Sequence, residues 1–178
     1  MAQTPEATIK RIAITGPECT GKTTLATQLA SHFGTTWVRE YARAFLSQIN
    51  RPYTYDDITT IAKRQRALEE EAAVTANGFL FCDTCLLVCK VWSRWKYGKV
   101  DAWIEREIES TSYDLYLLPL PDIGWKADPL RENPNDRWDL LERYREELRT
   151  LNRTWVEISG SPEERLKMAI GAVEELGR

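Results

Sequence analysis

The sequence predicts an α/β fold in which a five-stranded parallel sheet carries helices on both faces, giving a three-layer α/β/α sandwich. Short apolar runs rich in β-branched residues alternate along the chain with amphipathic helical patterns, an order typical of a parallel sheet. The first apolar run leads into a glycine-rich loop, and a helical pattern begins directly after that loop. At 178 residues the chain fits a single domain, which we assign to residues 1–178.

The glycine-rich loop, residues 16–23, fits the P-loop pattern G-x-x-x-x-G-K-[ST]. The apolar run before it and the helix after it supply the context that this motif requires. Gly16 and Gly21 allow backbone conformations in which successive N–H groups point inward at a helix N-terminus, which makes a phosphate site. We expect Lys22 to reach the β- and γ-phosphates of a nucleotide and the Thr23 hydroxyl to ligate Mg²⁺.

The strands and the residues near the nucleotide follow from this frame. Strands are predicted at residues 9–15, 36–39, 79–83, 113–118 (stopped by Pro119) and 154–158. The loop at 159–161, with Arg165 just beyond it, is placed by this topology where a purine base could rest. The predicted nucleotide contacts are therefore Gly16, Glu18, Cys19, Thr20, Gly21, Lys22, Thr23, Thr24 and Arg165.

Helical patterns fill the intervals between the strands. The first ends at Gly34, a long one runs from Asp56 or Asp57 to Gly78, and two more cover residues 84–97 and about 103–109. Asn135 or Asp136 is predicted to cap a helix whose apolar positions are Trp138, Leu141, Tyr144 and Leu148. The last helix begins at a capping box that starts at Ser161 and has Pro162 at its first position.

Polar side chains follow two of the predicted strands. Glu40, Tyr41 and Arg43 come after the second strand, where a helix begins, and Asp83 ends the third. Ligands bind at the carboxyl ends of parallel strands, so all four are candidates for a binding site. The alternative for Glu40 is a solvated helix start, favoured by the positive end of the helix dipole. After a P-loop, Asp83 corresponds to the Walker B aspartate that holds Mg²⁺ with Thr23.

The longest stretch without periodicity, residues 121–137, is predicted to be a lid. Long loops inside compact domains are usually functional, and this one contains Arg131 and Arg137, which would close over the phosphates and exclude water. The alternative is an ordered surface connector whose arginines form ordinary salt bridges. Trp92 either packs in the core or faces a flat substrate.

Cysteines and composition exclude several classes of function. Cys82, Cys85 and Cys89 are expected to be buried packing residues, with a redox pair in the C-x-x-C as the alternative. One histidine is too few for a zinc site.

A net charge of −3 gives no general attraction to nucleic acid or membranes. Residues 1–8 contain no apolar signal region, so a cytoplasmic location is expected. Seven tryptophans supply enough apolar surface for a homo-oligomer.

Several segments together resemble the NadR-type ribosylnicotinamide kinase domain over nearly the whole chain. They are the P-loop, Arg39-Glu40-Tyr41-Ala42-Arg43, Phe81-Cys82-Asp83-Thr84, Trp92 to Gly98, Pro121-Asp122-Ile123-Gly124-Trp125 and Asp128-Pro129-Leu130-Arg131-Glu132-Asn133. The resemblance implies a P-loop kinase fold that uses ATP and Mg²⁺ to phosphorylate the 5′-hydroxyl of nicotinamide riboside to nicotinamide mononucleotide. For such a transfer the expected catalytic residues are Lys22, Glu40, Asp83, Arg131 and Arg137, and the expected substrate contacts are Glu40, Tyr41, Arg43, Asp83, Trp92 and Trp125. Glu40 and Asp83 are both candidate bases, with Asp83 favoured for the metal and Glu40 for the base or a ribose contact.

The sequence departs from the family pattern in two respects. The full-length NadR regulators also contain a DNA-binding segment and an adenylyltransferase domain with paired histidines, whereas this chain has one histidine and looks like a free-standing kinase. Cys85 stands where the family often has an acid, which leaves open another nucleoside or a thiamine-like vitamin as acceptor. A non-enzymatic nucleotide switch is the other alternative, against which the chain has no N-K-x-D guanine signature.

Overall fold

The fold is a parallel five-stranded sheet between two layers of helices, described for residues 8–177 by a computed structural model. The strands are β1 (Lys10–Ile14), β2 (Trp37–Val38), β3 (Phe79–Asp83), β4 (Leu115–Pro119) and β5 (Trp155–Ile158). Their order across the sheet is β2-β3-β1-β4-β5. Residues 1–7, for which the sequence predicted no apolar signal region, lie outside the described part of the chain.

Seven helices connect and flank these strands in the described residues. They are α1 (Lys22–Phe33), α2 (Tyr41–Gln48), α3 (Tyr55–Ala73), α4 (Leu86–Tyr97), α5 (Ala102–Ser110), α6 (Arg137–Thr150) and α7 (Pro162–Leu176). The predicted capping box of α7 is confirmed, since the Ser161 hydroxyl accepts from the Glu164 backbone N–H and the Glu164 carboxylate accepts from that of Ser161. Within residues 8–177, every helix is too short or too polar to cross a bilayer.

Alternation along the central strands places a separate core on each face of the sheet. Ile12 and Ile14 of β1 pack with Leu29 of α1 and Val173 of α7 on one face. On the other face, the β1 residue Ala13 belongs to a core built with α4 and α6. The register pairs Ile14 with Asp83 of β3, so the ends of β1 and β3 lie side by side. This pairing brings the P-loop and the predicted Walker B aspartate together.

The cysteines of the C-x-x-C lie in the second of these cores. Cys82 and Cys85 are fully buried, Cys89 is nearly so, and all of them are free thiols. Burial raises the pKa of the Cys85 thiol to about 12, which suppresses the reactive thiolate. The prediction that these residues pack in the core is confirmed.

Several predicted boundaries were wrong for local reasons. Helix α3 begins at Tyr55 because Thr54 and Asp57 form its capping box, and it ends at Ala73 rather than Gly78. Pro119 belongs to β4, paired with Ile158, because the terminal position of a strand tolerates a missing N–H. Trp138 is 52% exposed, since the buried stripe of α6 consists of Leu140, Leu141, Tyr144 and Leu148.

A carboxylate is buried between α3 and the start of β4. Glu69 is fully buried and accepts hydrogen bonds from the Tyr113 hydroxyl at 2.7 and 2.9 Å, with Arg66 Nη1 3.5 Å away. Burial raises the pKa of Glu69 to about 7, although Tyr113 and Arg66 oppose the shift. The folded protein therefore binds this proton more tightly than the unfolded chain does.

Because the Glu69 pKa is raised in the folded state, its contribution to stability is complete below about pH 4.5 and is lost as pH rises through about 7. Glu69→Gln does not titrate, so its unfolding free energy relative to wild type should rise between pH 5 and pH 8, by at most about 3 kcal/mol. Urea unfolding at both pH values measures this difference. A difference that is the same at both would contradict the prediction, and Glu71→Gln on the exposed face of α3 is the control.

Candidate functional site

The P-loop leaves the central strand β1 and opens α1. Gly16 has φ +133° and Gly21 φ +83°, backbone conformations that L side chains rarely adopt. A Cβ added at Gly16 would also lie 3.1 Å from Leu118 Cδ1 of the neighbouring strand β4. Glycine is therefore required at the first position by both backbone conformation and space.

Short hydrogen bonds within the loop hold its shape. The Thr20 hydroxyl donates to the Pro17 carbonyl at 2.9 Å, and the Lys22 ammonium donates to the carbonyls of Gly16 at 3.1 Å and Pro17 at 2.6 Å. The first helical N–H groups follow directly, since Gly21 precedes Lys22, the first residue of α1. A cation and the N-terminus of a helix thus lie together, as a phosphate site requires.

Thr23 and Asp83 meet as the sequence predicted. The Thr23 hydroxyl donates to Asp83 Oδ2 at 2.6 Å, while Asp83 Oδ1 is buried and has no hydrogen-bond partner among residues 8–177. Asp83 is 1% exposed, and this burial raises the pKa of its carboxyl group. An uncompensated carboxylate oxygen next to a hydroxyl is a hard-donor set that fits Mg²⁺.

Glu40 forms the turn between β2 and α2, close to the charges of the P-loop. Burial raises the pKa of the Glu40 carboxyl, the Lys22 ammonium opposes this shift, and the Asp83 carboxylate adds to it. Buried Gln65 of α3 fixes this turn, because its side chain accepts from the Tyr41 N–H at 2.8 Å and donates to the Arg39 carbonyl at 3.3 Å. Glu40 is thereby held as a partly desolvated carboxylate beside a lysine.

A polar cavity of about 190 Å³ opens over the P-loop. Its lining combines loop residues with residues of α2 and of the 121–137 segment: Glu18, Cys19, Thr20, Gly21, Lys22, Thr23, Thr24, Glu40, Arg43, Leu46, Leu130 and Arg131. We call it the phosphate cavity. Cations from three different parts of the chain, Lys22, Arg43 and Arg131, line this space, which suits a polyphosphate.

A second, more apolar cavity of about 120 Å³ shares Lys22 and Glu40 with the first. We call it the aromatic cavity. Its walls are Gly16, Pro17, Glu18, Lys22, Glu40, Ala42, Leu46, Tyr53, Val88, Val91, Trp92, Trp95, Leu130, Glu132, Asn133, Leu140 and Tyr144. The two cavities are neighbours, because both are lined by Glu18, Lys22, Glu40, Leu46 and Leu130.

Three wall residues of the aromatic cavity, Tyr53, Trp92 and Glu132, form a connected cluster with Lys96. The Tyr53 hydroxyl donates to Glu132 at 2.5 Å and accepts from Trp92 Nε1 at 2.9 Å and from Lys96 Nζ at 2.5 Å. Lys96 also donates to both Glu132 oxygens, at 2.9 and 3.2 Å. Burial and the hydrogen bond to Glu132 raise the pKa of Tyr53 to about 12, so Tyr53 is a neutral phenol at physiological pH.

The 121–137 segment lies against the P-loop. Arg137 donates to the carbonyls of Cys19 and Ile123, each at 3.1 Å. The backbone N–H of Lys126 donates to the Cys19 sulfur at 3.3 Å. An ion pair at 2.9 Å joins Arg43 of α2 to Asp128. The segment is thus joined to both sides of the phosphate cavity.

The arginines of this segment occupy different positions. Arg131 lines the phosphate cavity and donates to the Lys126 carbonyl. Arg137 is the first residue of α6 and joins the segment to the P-loop backbone. Trp125 lies between them, with the guanidinium carbons 5.9 and 5.6 Å from its ring centroid. Only Arg131 of the two lines either cavity within the described residues.

Arg165, predicted to lie beside a purine base, binds to groups of the protein itself. It is 8% exposed, and its guanidinium donates to the carbonyls of Thr20 and Leu120 at 2.8 Å each and pairs with Asp122. A buried guanidinium needs such acceptors, and here they belong to the P-loop and to the loop after β4. Arg165 therefore stabilises the P-loop by binding its Thr20 carbonyl.

Most of the predicted site residues converge, and several others were missed. The cavity linings include Gly16, Glu18, Cys19, Thr20, Gly21, Lys22, Thr23, Thr24, Glu40, Arg43, Trp92 and Arg131. The predicted contacts Tyr41, Asp83, Trp125, Arg137 and Arg165 lie outside these linings in the described structure. The missed residues include the wall residues Tyr53 and Glu132 and their partner Lys96; Glu132 stands in the Asp-Pro-Leu-Arg-Glu-Asn segment, which was the available signal.

Known proteins share both sequence and architecture with this chain. The chain is 29% identical over 127 residues to the trifunctional NAD biosynthesis/regulator protein NadR of Salmonella typhimurium. The match covers 69% of this chain and 31% of that protein, so the chain spans about a third of the curated relative. The similarity concerns a part of NadR only.

Solved structures show the same fold. A crystal structure of NadR protein in complex with NR superposes with a TM-score of 0.84 at 22% identity, covering 94% of this chain and 50% of that one. A deoxyadenosine kinase from M. mycoides superposes with a TM-score of 0.63 at 13% identity, covering 93% of this chain and 99% of that one. A parallel sheet between two layers of helices, with a P-loop after β1, is thus the fold that these proteins share, as predicted.

A family model described as an AAA domain matches residues 11–165. This range runs from the second residue of β1 to Arg165 on α7 and so contains the P-loop, Asp83 and the 121–137 segment. The chain belongs to this AAA domain family.

Proposed function

We propose that the protein transfers the γ-phosphoryl group of ATP to the 5′-hydroxyl of nicotinamide riboside, giving nicotinamide mononucleotide and ADP. The observation that carries the proposal is the meeting of the phosphate cavity and the aromatic cavity at Lys22 and Glu40. A donor phosphate and an acceptor hydroxyl bound in these cavities would face each other across those two side chains. Such positioning is the main requirement of phosphoryl transfer.

The donor side is supplied by the P-loop. Its inward N–H groups and the Lys22 ammonium would bind the β- and γ-phosphates, replacing the contacts that Lys22 makes with Gly16 and Pro17. Thr23 and Asp83 would hold Mg²⁺, which supplies charge neutralisation to the phosphate oxygens when bound. Arg131, which lines the same cavity, adds positive charge near the transferred group.

The acceptor side is supplied by the aromatic cavity. Trp92, Tyr53 and Tyr144 give this cavity the aromatic lining that would suit a nicotinamide ring, and Glu40 lines it together with Gly16, Pro17 and Lys22 of the P-loop. Glu40 would accept the proton of the 5′-hydroxyl while the hydroxyl oxygen forms a bond to the γ-phosphorus. At the same time the bond between the γ-phosphorus and the β–γ bridging oxygen would break, which leaves ADP. Its raised pKa makes Glu40 a stronger base than an exposed glutamate.

Two further points support this acceptor over other nucleosides or vitamins. The NadR relative is described by NAD biosynthesis, and the NadR structure of the same fold holds NR. Cys85, the position that departs from the NadR pattern, is fully buried at the start of α4 and belongs to the core beneath the sheet. The substitution there is therefore a change in packing, away from the cavity walls.

A coupled assay of ADP release tests the proposal. ATP and Mg²⁺ are supplied with nicotinamide riboside, thiamine, or common ribo- and deoxynucleosides, and each rate is compared with the rate without acceptor. We expect stimulation by nicotinamide riboside well above the others, with nicotinamide mononucleotide identified by mass. Stimulation by thiamine or a deoxynucleoside instead would refute this acceptor, and tight GTP binding with no stimulation by any of them would favour a nucleotide switch.

A further inference from the structure

Glu18 is an acidic side chain inside the P-loop, where its charge would repel a bound polyanion. Glu18 lines both the phosphate cavity and the aromatic cavity, so its carboxylate lies where a polyanion is expected to bind. Like charges in a partly desolvated site repel each other, which works against nucleotide binding. A carboxylate in this position should therefore contribute something that offsets the repulsion.

Its hydrogen bonds show what it contributes. Glu18 Oε1 accepts from the backbone N–H of Glu132 at 2.9 Å and from the backbone N–H of Asn133. Both donors belong to the 121–137 segment, more than 100 residues away in the chain. Hydrogen bonds from N–H groups to an ionised carboxylate are stronger than neutral ones, and two of them here satisfy a single oxygen.

The side chains of these two residues form hydrogen bonds with residues around the aromatic cavity. The Glu132 carboxylate accepts from Tyr53 and Lys96, and Asn133 Oδ1 accepts from Trp95 Nε1 at 3.2 Å. Leu130, two residues earlier, lines both cavities. Residues 130–133 thus lie along both cavities: Leu130 lines both, Arg131 lines the phosphate cavity, and Glu132 and Asn133 line the aromatic cavity. The stretch is fixed to the P-loop by its backbone and to α4 by its side chains.

We infer that Glu18 is a positioning residue, whose carboxylate docks the backbone at Glu132 and Asn133 onto the P-loop and so holds residues 130–133 in place along the phosphate and aromatic cavities. This inference rests on the proposed function for its kinetic consequence, which is the exclusion of water from the site of transfer. Its structural consequence, a docked segment, does not depend on the reaction. The competing role, direct contact of Glu18 with substrate, is separated from it by the experiment.

Limited proteolysis with trypsin measures the docking without any substrate. Lys126 and Arg131 lie in the segment, whereas Lys167 lies in α7 and serves as an internal reference. In Glu18→Ala we expect cleavage after Lys126 and Arg131, relative to cleavage after Lys167, to rise about tenfold, because two charge-assisted hydrogen bonds are lost. Glu18→Gln keeps a neutral acceptor and should lie in between, and Glu163→Ala, an exposed site on α7, should match wild type.

An unchanged ratio in Glu18→Ala overturns the inference, whether or not the protein is a kinase. If Glu18→Ala fails to fold, all sites are cut faster and the ratio in Glu18→Gln decides by the same criterion. In the ADP-release assay, Glu18→Ala should raise the KM for nicotinamide riboside and the acceptor-free hydrolysis of ATP, with partial rescue in Glu18→Gln. A raised KM with an unchanged proteolysis ratio assigns Glu18 to direct substrate contact and refutes the docking role.

Discussion

Lys22→Ala will lose phosphoryl transfer, with kcat falling about a thousandfold or more. This lysine is the only P-loop side chain that brings a full positive charge to the phosphates, and such charges in a preorganised site account for losses of this size. Its contacts in the structure are two hydrogen bonds to loop carbonyls at a partly exposed position, so the folded state should be little affected. The coupled ADP-release assay and a thermal unfolding curve measure the two effects.

The exposed Lys167 of α7 provides the matched control for this substitution. Lys167→Ala should retain both activity and unfolding temperature. A fully active Lys22→Ala enzyme would remove the basis for any P-loop kinase mechanism in this protein. An inactive Lys22→Ala variant with a normal unfolding temperature would show that the loss of activity is not caused by misfolding.

Asp83→Asn should affect activity and stability in opposite directions. In the presence of Mg²⁺ we expect transfer to fall at least about a hundredfold, because an amide is a poor ligand for a hard cation. Without Mg²⁺ the variant should unfold at a higher temperature than wild type. Burial raises the pKa of Asp83, so the ionised carboxylate costs folding energy that a neutral amide of the same shape does not.

The amide oxygen of the variant can still accept from the Thr23 hydroxyl, so the local fold is preserved. Asp139→Asn on the exposed face of α6 controls for the loss of a carboxylate elsewhere. Wild-type rates in Asp83→Asn at saturating Mg²⁺ would exclude Asp83 as a metal ligand. A lower unfolding temperature without Mg²⁺ would contradict the argument from burial.

Local patterns predicted the sheet, the P-loop and the Thr23–Asp83 pair. The signals for these features lie in short stretches of sequence: a glycine spacing, a β-branched run, and an acid at the end of a strand. Parallel pairing then brings the ends of β1 and β3 together without further information. The same logic placed Glu40 beside the P-loop.

Long-range polar pairs could not be predicted in this way. Tyr53 finds Glu132 79 residues later, and Arg165 finds the carbonyl of Thr20 145 residues earlier. Periodicity identifies which residues are apolar and on which face they lie, but it gives no partner for a polar group. The pattern therefore assigned Arg165 to a ligand but did not predict the backbone carbonyls to which it donates in the folded chain.

The contact of Arg165 with the P-loop joins the two ends of the chain, which are made at different times during synthesis. The loop at residues 16–23 is made early, but the guanidinium that holds the Thr20 carbonyl and the strand β4 that packs against Gly16 are made much later. A nascent chain that ends before α7 contains the full P-loop sequence without that support. We therefore expect ATP to stabilise chains in which α7 has docked more than chains that end before it.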